Sequence, residues 1–150
     1  MANKSNKNSN QSSQKMPVPL ASLPAVLLPW YDREKRSLPW RDIVTPYRTW
    51  VSEIMLQQTR VQAVLPYFER FMSAAPDVPA LAELAEDRLL SLWQGLGYYS
   101  RARSLQRSAR VMVDQYGGCL PDTYSDLIQL PGIGDYTAGA ILSIAFNKAV

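Results

Sequence analysis

The run Leu130-Pro131-Gly132-Ile133-Gly134-Asp135-Tyr136-Thr137-Ala138-Gly139-Ala140-Ile141 constrains the fold of this chain more than any other segment. Pro131 ends one helix, and Gly132 and Gly134 permit a tight turn whose backbone amides no side chain obstructs. Ile133 between them plugs the core and anchors the turn. The helix that follows directs its N-terminal amides and positive dipole end outward, which suits a phosphate. Small Ala138, Gly139 and Ala140 let the two helices approach closely. A plain corner between two helices uses the same residue types, since short Gly-x-Gly turns are common. Asp135 opposes the phosphate reading, because a carboxylate repels phosphate; capping its own helix would turn that side chain away.

The remaining segments also read as helices. Pro39, Pro46, Pro76 and Pro121 punctuate them. Leu23–Arg36 includes a short helix carrying Trp30. From Tyr47 onward, Val51, Ile54, Met55 and Gln58 keep helical spacing. Thr59 followed by Gln62 matches a capping box, so one helix ends there and the next begins, running to about Met72 with a bend at Pro66. Further helices are predicted over Glu86 to Gln94, stopped by Gly95 and Gly97, and over Ser100 to Tyr116. Two more follow near Tyr124–Gln129 and Tyr136–Phe146. No alternating strand pattern and no internal repeat competes, so the chain is predicted to be all-α. The apolar run Ile141 to Phe146 calls for neighbours on several sides, yet only four residues follow it, as expected of a truncated chain.

Composition narrows the chemistry. There is no histidine, which removes histidine acid–base catalysis and every His-containing metal site. The single cysteine, Cys119, allows no internal disulfide and cannot alone hold a cluster or a structural zinc. No apolar run approaches a membrane helix and no secretory signal is evident, so a cytoplasmic protein without targeting or membrane attachment is expected. The net charge of +3 equals the contribution of Lys4, Lys7 and Lys15. They stand in a polar leader, residues 1–20, expected to be a disordered basic tail. Residues 21–40 form an N-terminal helix region and residues 41–150 a helical domain with the hairpin at 124–146. Within it Arg101, Arg103, Arg107 and Arg110 cluster without an acid, either as a polyanion-facing helix or as an ordinary solvated face.

Three other segments stand in order before the hairpin: Leu38-Pro39-Trp40-Arg41, Trp50-Val51-Ser52-Glu53-Ile54-Met55-Leu56-Gln57-Gln58-Thr59, and Gly95-Leu96-Gly97-Tyr98-Tyr99-Ser100-Arg101-Ala102-Arg103. Together the four resemble the MutY-type A/G-specific adenine DNA glycosylases, which belong to the helix-hairpin-helix superfamily that includes endonuclease III. The resemblance covers about residues 27–150. It implies a helix-hairpin-helix glycosylase fold with a six-helix-barrel-type domain. It also implies removal of adenine mispaired with 8-oxoguanine or guanine in double-stranded DNA, by a monomer. In the endonuclease III branch a lysine occupies the position of Tyr136 and attacks the sugar as an imine-forming nucleophile. A phenol cannot form that imine, so Tyr136 implies a glycosylase without strong lyase activity.

Protonation of adenine N7 requires a carboxylic acid that keeps its proton, whereas a solvated Glu titrates at about 4.3; burial raises that value. Alone, a Glu on an amphipathic helix is usually solvated. The resemblance makes Glu53 the catalytic acid, with Tyr136 hydrogen-bonded in the same pocket. It makes Gln58 and Tyr98 the pair that fills the gap left by the flipped nucleotide. Arg36, Leu38, Trp40 and Arg41 are then expected to line the base pocket, through stacking surface and hydrogen-bond donors. Gly132, Gly134, Thr137, Arg101 and Arg103 are expected to meet the DNA backbone.

The same resemblance calls for an aspartate in a Val/Leu-Asp-Gly-Asn-Val context, four cysteines holding a 4Fe-4S cluster, and a C-terminal domain, all expected beyond Val150. This chain alone is then expected to ligate no cluster and to lack part of the active site, and Leu27–Arg36 to lack its packing partners. Two other readings stay open: a non-catalytic helix-hairpin-helix DNA-binding fragment, and a related glycosylase acting on thymine or a damaged pyrimidine.

Overall fold

The computed structural model describes residues 19–149, and all the regular structure among them is helical. The chain divides into two units, Met1–Arg36 and Ser37–Val150. The basic tail expected at residues 1–20 falls almost wholly outside the described residues. In the first unit a 3-10 turn, Leu20–Ser22, leads into α1, Leu23–Glu34. Pro24 sits in the first turn of α1, where a missing N–H is no loss. This helix buries none of its residues, and Arg36 follows it, exposed.

The second unit is built around α3, Pro46–Leu56, whose Tyr47, Thr49, Trp50, Val51, Ser52, Ile54 and Met55 are all buried. Thr45 starts this helix by accepting the Arg48 amide at 3.1 Å, and Pro46 occupies its first turn. Before it comes α2, Pro39–Asp42; after it α4, Val61–Ala74, and α5, Val78–Glu83. Asp77 caps α5 through the Ala80 amide. The series continues with α6, Glu86–Trp93, α7, Ser100–Gln115, α8, Tyr124–Leu127, and α9, Asp135–Ala145. α3 packs on α4 and α9, and α5 lies along α7. Gln106 fixes the latter pair by donating from a buried amide to the Leu81 and Leu84 carbonyls.

The expected helices are present, with differences that have physical causes. The short α2 and α5 span too few residues to show a period in the sequence. The capping box at Thr59 and Gln62 does not form. The Thr59 hydroxyl bonds the Gln57 carbonyl at 3.3 Å, and Arg60 stands at the N-cap of α4 without a side-chain cap. Pro66 lies inside α4, which continues past it. α9 buries Thr137, Ala138, Ile141 and Leu142, while Ile144 remains exposed.

Candidate active site and nucleic-acid interface

The hairpin α8–α9 is held against α7 at two points. Ser108 donates from its hydroxyl to the Pro131 carbonyl at 2.7 Å. Gly132, at φ +81, lies so near α7 that a Cβ there would meet the Ser104 Cβ at 3.0 Å. Only glycine suits this position on both counts. Gly134 is different: its φ of −102 is open to any residue, and a Cβ would meet nothing within 4 Å. Gly134, not Asp135, is the N-cap of α9, so the expected capping by Asp135 does not occur. The Asp135 carboxylate instead accepts a 2.7 Å hydrogen bond from the Tyr124 phenol across the hairpin. Tyr124 carried no sequence signal for this role, because the pairing joins two helices through the turn.

Glu53 projects from α3 half-buried between buried Ser52 and Ile54. Burial pushes its carboxyl above the ordinary carboxylate range, and the Arg41 guanidinium draws it part of the way back. Arg41 belongs to α2, which Arg48 moors to α3. The Arg48 guanidinium donates to the carbonyls of Pro39 at 2.8 Å and Ile43 at 3.1 Å, and lies over the Phe68 ring. Sequence reasoning missed Arg48, since its partners are backbone carbonyls that any sequence supplies.

Several expected site residues stand elsewhere. Leu38 and Trp40 are core residues, 4% and 6% exposed, with the Trp40 ring edge-on to Phe68 at 5.1 Å. They leave no free face for a base. Arg36 belongs to the first unit; of the three expected pocket residues in the second unit, only Arg41 is both exposed and electrostatically coupled to Glu53. Tyr136 is 80% exposed on the first turn of α9 and makes no hydrogen bond to Glu53. Thr137, 3% exposed, faces the core rather than a backbone phosphate. Packing against α3 explains its inward turn.

The arginines of α7 do not share one environment: Arg103, Arg107 and Arg110 are exposed and Arg101 is half-buried. Arg103 pairs with Glu86 at 2.9 Å, Arg107 bonds the Ser104 hydroxyl, and Arg110 donates to the Ala82 carbonyl. Arg101 turns inward to backbone carbonyls of two loops. These loops carry Gln58 and Tyr98, both exposed and both left-handed, at φ 58 and φ 49. Such backbone on a side-chain-bearing residue costs roughly 1–3 kcal/mol and marks positions held by their surroundings. A cleft of about 220 Å³ lies between the end of α3, α7 and the hairpin. Ile54 and Gln57 of the α3 end, Ser104 and Arg101 of α7, and Pro131 and Gly132 of the hairpin line it.

The profile of the HhH-GPD superfamily base excision DNA repair proteins matches residues 51–148. The chain is 46% identical over 122 residues to an adenine DNA glycosylase of Buchnera aphidicola (subspecies Baizongia pistaciae), covering 81% of this chain and 35% of that protein. It is 50% identical over 131 residues to the adenine DNA glycosylase of Mus musculus, covering 81% of this chain and 25% of that protein. The chain thus spans about a third to a quarter of the length of these relatives. Among solved structures, a thermostable thymine-DNA glycosylase superposes with a TM-score of 0.78 at 26% identity, over 85% of this chain and 59% of the other.

Proposed function

The chain belongs to the HhH-GPD superfamily of base excision DNA repair proteins, and on that premise we propose that it carries the acid-bearing part of an adenine DNA glycosylase. The substrate is adenine opposite 8-oxoguanine or guanine in double-stranded DNA, and the bond broken is the N-glycosidic one. The single observation that carries this reading is the environment of Glu53, whose burial on α3 favours the protonated carboxyl. Such a group donates its proton to adenine N7 as the base departs, so that the leaving group is neutral. Arg41 opposes the upward shift and so eases release of the proton to the departing base.

Adenine reaches an acid on α3 only if it leaves the stack. Gln58 and Tyr98, exposed on two loops, supply a planar amide and an aromatic ring to fill the vacated space. The hairpin supplies the grip on the backbone. The open space before Gly134 leaves the first amides of α9 accessible to a phosphate, and the Tyr124 hydrogen bond holds the Asp135 carboxylate in the hairpin. Tyr136, exposed beside these amides, is in this reading directed at the reacting sugar rather than at Glu53. The protein acts as a monomer on DNA in the cytoplasm or nucleoid, and no described helix is long and apolar enough to cross a membrane.

The family's 4Fe-4S cluster does not fit the residues described. No group of three or more His, Cys, Asp or Glu among them stands ready to hold a metal, and Cys119 is the one cysteine of the sequence.

The two glycines separate fold from function. Gly132→Ala is expected to destabilise the domain by about 1–2 kcal/mol through its left-handed backbone and the Ser104 contact, read by thermal unfolding. Gly134→Asp is expected to leave folding intact and weaken duplex binding about tenfold, because it sets an anion against phosphate. Unaltered affinity in Gly134→Asp, measured by fluorescence anisotropy at fixed salt, would remove the hairpin from the interface. The substrate is tested by product analysis on the full-length gene product. Free adenine from an A·8-oxoguanine duplex supports the proposal. Free thymine from T·G, the alternative raised by the structural neighbour, overturns it.

A further inference from the structure

We infer that Arg101 is a positioning residue, a single guanidinium that sets Gln58 and Tyr98 at a fixed separation and ties both to the helix bearing Glu53. The inference rests on the reading of Gln58 and Tyr98 as the residues that fill the gap in the duplex. Arg101 Nη1 donates to the carbonyls of Ile54 at 2.9 Å, Met55 at 3.0 Å and Gln57 at 2.6 Å. Nη2 faces the carbonyls of Leu96 at 3.3 Å and Gly97 at 3.2 Å, with the Thr59 hydroxyl at 3.5 Å.

Two of these acceptors decide the role. The Gln57 and Gly97 carbonyls belong to the peptide units immediately preceding Gln58 and Tyr98. Those are the residues with left-handed backbone, a conformation that persists only where neighbours over-determine it. One planar fork holds both peptide planes at once. The Ile54 and Met55 carbonyls lie in the last turn of α3, where helix carbonyls lack intrahelical partners. The same fork thus terminates the acid-bearing helix. The guanidinium is itself fixed, 5.5 Å from the Trp93 ring centroid and 5.6 Å from that of Tyr98. The Trp93 indole adds a second donor to the Gly97 carbonyl at 3.1 Å. A lysine ammonium, a single point charge on a flexible stem, cannot span acceptors on two loops in this way. Arg101 therefore sets the geometry of both loops before DNA arrives, which reduces the ordering that binding must supply.

Arg101→Lys and Arg101→Gln test this in the chain free of DNA and on a duplex. The Thr59 and Leu96 amides, bonded to the Leu56 and Trp93 carbonyls, report on the two loops. Both are expected to exchange with solvent about tenfold faster in either variant, while amides of α5 and α9 keep their rates. On an A·8-oxoguanine duplex carrying 2-aminopurine beside the adenine, the fluorescence rise on extrusion is expected to fall about tenfold, with duplex affinity and its salt dependence unchanged. Wild-type exchange and extrusion in Arg101→Lys overturn the inference. So does acceleration that extends equally to α5 and α9, which marks Arg101 as general packing. Weakened binding with a shallower salt dependence makes it a phosphate contact and overturns the inference as well. If the two loops loosen together but the wild-type chain extrudes no adenine, the coupling stands and the gap-filling reading fails.

Discussion

Replacement of Glu53 by Gln in the full-length gene product is expected to slow single-turnover adenine release by about 10²–10⁴-fold, the range a positioned proton donor contributes. The amide has nearly the size of the carboxyl and can hydrogen-bond to N7, but it carries no transferable proton. Duplex affinity is expected to stay unchanged, since the loss falls on the bond-breaking step. The wild-type rate declines as pH rises through the raised pKa of Glu53, and the residual rate of the variant lacks that limb. Stability follows pH in the same direction. Because the folded state holds this proton more tightly than the unfolded chain, its contribution is complete below the ordinary glutamate range. It disappears as pH climbs through the raised value. Glu53→Gln is thus expected to unfold later than the wild type at neutral pH, with the difference closing in acid. A variant that excises at the wild-type rate, or that unfolds earlier at neutral pH, excludes Glu53 as a buried acid.

Trp93→Ala is expected to lower stability by about 3–5 kcal/mol, the cost of emptying a large aromatic site in a packed core. For a domain of this size that is a fall of roughly 10–20 °C in Tm. Trp93 is fully buried, packs edge-on to Phe71 at 6.1 Å and donates its indole N–H to the Gly97 carbonyl. Its removal takes away core volume, a donor to the loop of Tyr98 and the ring beneath Arg101 at once. Trp93→Phe keeps most of the volume and loses the donor. It is expected to recover most of the stability while the Leu96 amide remains exposed to fast exchange. Calorimetry on the three proteins separates the packing loss from the loop effect.

The helices with long apolar periods were legible in the sequence because burial imposes the period directly, as in α3 and α7, and the glycine-flanked hairpin was legible because Gly132 is required by its backbone. The burial of Leu38 and Trp40 was less legible. A tryptophan beside a proline announces an aromatic surface but not which side of it meets the core. The arginines were harder still. Spacing along α7 suggested one charged face, whereas Arg101 and Arg110 reach backbone carbonyls of distant segments, Arg103 pairs with Glu86 of α6 and Arg107 bonds Ser104 one turn back, and backbone carbonyls leave no trace in the sequence. Thr137 and Tyr136 are adjacent, yet one faces the core and the other solvent, because α3 packs along one side of α9.

The helix that bears Glu53 is also the spine of its unit, with most of its length buried against neighbours on two sides. Evolution cannot shift such an acid by a residue without repacking everything that leans on it. Specialisation toward a different base is therefore confined to the exposed turns around the cleft, where side chains are exchanged at little risk to folding. A lineage built on this plan retools its appetite at the rim and inherits its chemistry from the keel.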